Sequence, residues 1–423
     1  MANITHKLKL LVTDKTLRKR IFFVLGAFIV IRLLSSVPIP SVDTNQLAAF
    51  LSNNQFFGLL NVFSGGGLST LSIVMLGVGP YITASIIMQL LTIMIPSLKE
   101  MNQEGGEAGR KKFAQYTRLL AIPLALIQGF SLLAVLTNQG VIVDSSLYGK
   151  MINLAIITAG SMLMVWIGEL ISEFGIGNGV SLIIFAGIVA KLPSEVSQML
   201  FTYNPADLPM YIIFILIGLL VISGVVLITE AERPIGVTYA RQSRGMSTSN
   251  GVTTYIPLRL NMAGVVPIIF ALSILLLPQL FSNIFINSSH AVLQSIATTL
   301  AKFTQTSLLY GILYFVFVFG FTYLYTSITF DPKQMSDNLQ KNGAFVPGIR
   351  PGDSTNEYIS NIVSRITLVG GLFLGIIAVL PLIVRNLSGI TSIALGGTAL
   401  LIVVSVVIDL IKKIDAQTSM REY

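Results

Sequence analysis

What most constrains this chain is a recurrence of long apolar windows, each flanked by polar or glycine- and proline-bearing segments. They fall near 21–37, 73–95, 114–136, 151–172, 179–192, 210–229, 260–281, 306–329, 365–384 and 394–411. About 20 apolar residues suffice for a helix to cross the roughly 30 Å hydrocarbon layer of a bilayer. The pattern predicts ten membrane helices, of which 179–192 is short for a crossing and suits a tilted or partly re-entrant element. With 53% hydrophobic and 11% charged residues in 423, little chain is left for a soluble domain.

The charges fix an orientation. The alternate connecting segments on one side hold 22 of the 27 lysines and arginines, whereas the opposite segments hold Lys150, Lys191, Lys302 and Arg385. Arg32 lies inside the first window. The positive-inside rule then places both termini in the cytoplasm and requires an even number of crossings. The basic start followed by IFFVLGAFIVI has a signal-peptide look, but no A-x-A site precedes SVPIP, so it reads as a retained first span.

The windows are poor in chemistry. The chain has no cysteine and two histidines, His6 and His290, which argues against disulfides, thiol nucleophiles and histidine-built metal sites. It has no G-x-x-x-x-G-K-[ST] phosphate loop, no H-E-x-x-H and no paired membrane aspartates. Ionisable groups at membrane depth reduce to Arg32, Glu169 near a helix end, and Asp409 in the last turn of the final window. An intramembrane enzyme lacks its catalytic groups, and a proton-coupled carrier lacks its relays. A sodium-coupled carrier with a broken helix at Gly65–Gly67 stays open.

Other motifs are structural on their face. GVGPYITASIIMQLL, Gly77–Leu91, puts small residues on a span that Pro80 should kink. GIGNG, Gly175–Gly179, is a tight turn. Two long segments, 230–259 and 331–365, lack a hydrophobic core of their own and carry fixed turns, with Arg350 presented in GIRPG. An arginine so placed suits an acidic partner or RNA phosphate.

Taken together, NVFSGGGLS with GPYITASIIMQLL, EGGEAGRKKFAQYTR, WIGELISEFGIGNG with IIFAGIVA, PLRLNMAGVVPIIF, DNLQKNGAFVPGIRPG and GGTALLIVV resemble the SecY family in wording, order and spacing. These are the central subunits of bacterial protein-conducting channels. The resemblance implies an all-α membrane fold of ten helices in two pseudosymmetric five-helix halves, 1–200 and 201–423, closed like a clamshell. It implies a non-enzymatic channel, without cofactor, in the bacterial cytoplasmic membrane, passing unfolded secretory chains across or releasing membrane helices sideways into lipid.

Residue by residue, the resemblance implies a pore ring of Val78, Ile82, Val180, Ile184, Ile269 and Ile402, two of them valine where isoleucine is common. It implies a plug, a short distorted helix over about 61–72, with Asn61, Phe63, Ser64, Gly65, Gly66, Gly67 and Leu68, the glycines giving a weakly helical, mobile connection. It implies polar lateral-gate positions Thr83, Gln128 and Asn261. Docking of the motor ATPase SecA or the ribosome is implied for Arg241 and Arg244, in a loop less basic than usual after Arg244, and for Arg350 in the second long loop. SecE and SecG are the implied small partner subunits, and nascent chains with signal sequences the passengers.

An independent physical reason agrees with a ring of this kind. A pore passing chains of any sequence is best lined at its narrowest point by branched aliphatics, which bind no passenger and oppose ions by dewetting.

Overall fold

The computed structural model describes residues 14–40, 66–68, 70–103, 105–138, 140–142, 146–194, 197, 208–239, 253–285, 292, 294–299, 307–388 and 394–419. Its elements, in chain order, are α1 (Lys15–Ser36), α2 (Gly79–Met94), α3 (Pro96–Gln103), α4 (Gly106–Asn138), α5 (Leu147–Phe174), α6 (Gly179–Val189) and α7 (Leu208–Glu230). Strands β1 (Glu232–Tyr239) and β2 (Thr253–Arg259) follow, then α8 (Val266–Phe285), α9 (Ser307–Thr329), α10 (Pro332–Lys341), β3 (Ala344–Phe345), α11 (Asp353–Ser388) and α12 (Ala394–Ser419).

Each apolar window meets a helix. Several starts are set by local hydrogen bonds: Asp14 Oδ1 accepts from the Thr16 amide at 2.8 Å, Ser146 Oγ from Gly149 at 3.1 Å, and Asn178 Oδ1 from Ser181 at 3.2 Å. Among the described residues, Gly106–Thr137, Leu147–Phe174, Leu308–Lys341 and Asp353–Leu380 are each long and apolar enough to cross a membrane, and Gly79–Met94 with Pro96–Asn102 qualifies as a pair bent by 116°.

Boundaries differ from the sequence reading in ways that have causes. The second window opens at 73, but Ile73–Gly77 are turns and α2 begins at Gly79. Leu71 (φ 43°) and Gly77 (φ 54°) take left-handed conformations that a helix does not accept. Pro80 lies in the first turn of α2, where its missing N–H would have no helical acceptor, so it starts the helix and does not kink it. The final helix continues to Ser419, which puts Asp409 well inside it, paired with Lys413 at 2.8 Å one turn on.

The main core gathers buried aliphatics from α1, α2, α5–α9, α11 and α12. Outward faces stay apolar: Phe22 and Ile29 of α1, Leu219, Leu220 and Leu227 of α7, and Ile312 and Val316 of α9 are all exposed. A helix that is apolar on every side belongs in lipid. Helix α9 lies along α11 through a glycine seam, where a Cβ on Gly375 would sit 2.7 Å from the Phe315 ring and one on Gly371 3.2 Å from Phe319.

The fold is not purely helical. Strands β2, β1 and β3 form a three-stranded antiparallel sheet, in that order. Pro234 faces Pro257 across β1 and β2. Neither proline can donate, so this register places them at a non-hydrogen-bonded pair, with bonded pairs at the neighbouring positions. Ile235, Val237 and Leu258 turn inward onto Ala344, Val346 and the first turns of α11, Ile359, Val363 and Ile366, making a separate core. The two long loops therefore do share a hydrophobic core, which neither contains by itself and which only their pairing closes.

Candidate functional site

The six ring positions come from four helices. Val78 caps α2, Ile82 follows one turn later, Val180 and Ile184 stand one turn apart on α6, and Ile269 and Ile402 sit on α8 and α12. Val78, Ile82, Ile184, Ile269 and Ile402 are buried in one cluster, and Val180 packs against it half-buried. Helix α6 reaches this position because GIGNG lets it approach α5 at backbone distance: a Cβ on Gly179 would run into the Gly168 carbonyl. Ser172 Oγ accepts from the Gly179 amide at 2.8 Å and donates to Gly168 at 3.0 Å, which locks the crossing.

Of the expected plug positions, Asn61, Phe63, Ser64 and Gly65 lie outside the described residues. Gly66, Gly67 and Leu68 form a buried turn rather than helix. Gly66 needs its glycine for φ 90°, and Gly67 for space, since a Cβ would stand 2.6 Å from Ser72 Oγ. The geometry of the turn itself therefore requires glycine at both described positions. Leu68 and Leu71 enter a second core with Ile39, Met75, Leu76, Leu132, Leu133, Leu136, Ile142 and Ile157.

The turns that follow are tied on two sides. Towards α1, the Ile39 amide donates to Leu71 at 2.9 Å, the Ile73 amide to Val37 at 3.0 Å, and Thr70 Oγ1 to Ser35 at 2.6 Å. Towards α5, Ser161 Oγ donates to the Gly77 carbonyl at 2.8 Å, and a Cβ on Gly160 would collide with the Ile73 carbonyl. Ser72 Oγ is buried without a partner.

Two of the three expected gate residues meet. Thr83 Oγ1 accepts from Gln128 Nε2 at 3.3 Å, joining α2 to α4, and donates to Gly79 at 3.2 Å. Asn261 is buried just before α8; its Nδ2 donates to the Gly264 carbonyl at 3.3 Å and its Oδ1 has no partner. Helix α8 packs on both α2 and α4, so aliphatic and polar positions share one seam.

Arg350 is exposed on a turn bounded by Gly348 (φ 82°) and Gly352 (φ 99°). Thr355 Oγ1 donates to the Arg350 carbonyl at 2.9 Å and Ser336 Oγ to that of Gly352 at 2.8 Å, so the turn is rigidly presented. Arg241 and Arg244 lie outside the described residues. Sequence reasoning missed two ion pairs: Glu169 with Arg118 at 3.1 Å, and Glu230 with Lys412 at 3.0 Å. The partners are 51 and 182 positions apart, and no local pattern announces them.

Fold and seam together define a polytopic helical membrane protein whose main core gathers branched aliphatic side chains from α2, α6, α8 and α12. The chain belongs to the SecY family, whose profile matches residues 72–411. It is 39% identical to the protein translocase subunit SecY of Mycobacterium bovis over 429 residues, covering 96% of each chain. Identity to that of Thermus thermophilus is 41% over 417 residues, covering 96% of this chain and 94% of the relative.

Solved structures agree in fold. A protein-conducting channel superposes with a TM-score of 0.66 at 17% identity, over 96% of this chain and 94% of that one. The channel Sec61 of a canine ribosome-channel complex from the endoplasmic reticulum gives 0.63 at 16%, with the same coverage.

Proposed function

We infer that this chain is the channel subunit of a protein translocase, passing unfolded polypeptides across the cytoplasmic membrane and releasing apolar helices sideways into lipid. The observation that carries this reading is the ring itself. Five of six branched aliphatics from four helices are buried in one core, with no charge among them to hold a passenger. Relatives that match nearly end to end are protein translocase subunits.

Ten crossings, two five-helix halves divided near residue 200, and cytoplasmic termini complete the reading, supported by the windows and the basic loops. The plug over about 61–72 seals the channel from the side opposite the sheet. Thr83, Gln128 and Asn261 line the seam through which helices leave. Arg350, with Arg241 and Arg244, docks the SecA motor or the ribosome, and SecE and SecG are the small subunits that brace the bundle.

The test uses the absence of native cysteine. Single thiols at Ile82 and Ile402 crosslink to a secretory chain stalled in transit, whereas a thiol at lipid-facing Leu220 does not. A stalled, translocation-competent complex giving no adduct at either ring position would sink the channel reading.

A further inference from the structure

Arg32 is the only charged residue in the apolar run 21–37. A cation at such a depth is costly unless something requires it. Among the described residues no carboxylate forms an ion pair with it. What it meets is the glycine turn: a Cβ built on Gly66 would stand 3.4 Å from Arg32 Nη1. The guanidinium therefore covers the place where any other residue at 66 would carry its side chain. Gly66 is buried and left-handed, at φ 90°.

The same end of α1 holds the rest of the turn segment. One turn beyond Arg32, the Ser35 carbonyl accepts from Thr70, and Val37 and Ile39 bond the backbone of Ile73 and Leu71. Arg32 extends this row by one helical turn to Gly66. A planar guanidinium suits the task, since it lies flat on a peptide and offers donors in a fixed fork, which a lysine ammonium does not.

We propose that Arg32 is the positioning residue that seats the Gly66–Leu68 turn against α1 in the closed channel, with Gly66 as its receptor. This rests on the seal reading above. Arg32, itself exposed, and the buried turn then act as a latch: the arginine holds the turn from its outer side while the channel is shut and loses that contact when the turn leaves.

The experiment uses the purified full-length complex in sealed vesicles, carrying one introduced thiol at Leu68, which is 1% exposed. Labelling by a membrane-impermeant maleimide and ion efflux are followed together. Arg32→Gln should speed labelling at Leu68 about tenfold, within the usual range for a single substitution that removes a packed group, and Arg32→Lys should restore only part of the protection. A thiol at Ile183, buried in the main core, should label at its original rate in all variants.

Gly66→Ala attacks the contact from the other side. It should act in the same direction and add little to Arg32→Gln. An unchanged rate at Leu68 overturns the latch, as does equal acceleration at Ile183, which would mean general loosening. Deleting 61–70 separates the two readings. If the deletion leaks ions and Arg32→Gln changes nothing, the seal stands and the latch falls. If labelling accelerates while neither variant raises efflux, the latch stands and the seal falls.

Discussion

Replacing Ile184 by asparagine tests the aliphatic ring directly. Ile184 is 1% exposed, on α6 one turn from Val180, in a core shared with Val78, Ile82, Ile269 and Ile402. The change forfeits the burial of a branched side chain, about 2 kcal/mol. It also places an amide in surroundings with no partner, costing a further ~2 kcal/mol on scales from protein mutants. When the ring parts around a passenger or water, the amide is solvated and most of the second cost disappears. The closed state thus loses roughly 2–4 kcal/mol relative to the open one, which multiplies the open fraction by about 30 to 700 at 1.4 kcal/mol per tenfold.

Ile184→Val removes one methylene, costs about 1 kcal/mol and keeps the lining aliphatic. The assay is resting ion conductance of the purified complex in a planar bilayer. The asparagine variant should conduct at rest and the valine variant should stay near wild type. Equal leak from both would show that volume, not polarity, governs closure. A folded asparagine variant with wild-type conductance would refute the ring argument altogether.

Two further outcomes follow from residues outside the ring. Gly160→Ala drives a methyl group into the Ile73 carbonyl, an overpacking cost of ~1–3 kcal/mol, and should lower the thermal midpoint and raise ion leak together, whereas Gly26→Ala, with nothing within 4 Å, should do neither. Arg350→Ala removes an exposed side chain whose turn is held by backbone acceptors, so stability should hold within about 0.5 kcal/mol while affinity for the motor ATPase or the ribosome falls about tenfold. Denaturation and direct binding measurements check the pair.

The helices were legible because burial in lipid writes itself into composition: every apolar window from 21–37 to 394–411 carries one. Motifs in family order also led to Val78, Ile82, Ile184, Ile269 and Ile402, which the fold gathers although they are hundreds of residues apart. What the sequence hid was cooperation between segments. Ile235, Val237 and Leu258 look like scattered apolar residues in a polar loop until Ala344, Val346 and Ile359 arrive from 331–365 to cover them. The start of α2 was hidden similarly, because Ile73–Leu76 is as apolar as a helix and only Leu71, Gly77 and the contact at Gly160 dictate a turn. Apolarity reports depth in the membrane, whereas backbone direction depends on what lies alongside.

Helix α11 belongs to two bodies at once. Ile359, Val363 and Ile366 are buried under the sheet, and Leu374, Ile377 and Ala378 in the main core. Its 36 residues extend about 54 Å, against a hydrocarbon layer of roughly 30 Å. Near its middle Gly370 rests on the Leu260 carbonyl, which would stand 2.7 Å from a Cβ there. The arms on either side, 353–370 and 370–388, each measure about 26 Å. One continuous helix thus ties the sheet to the membrane core, so the two cores keep a fixed spacing along its axis.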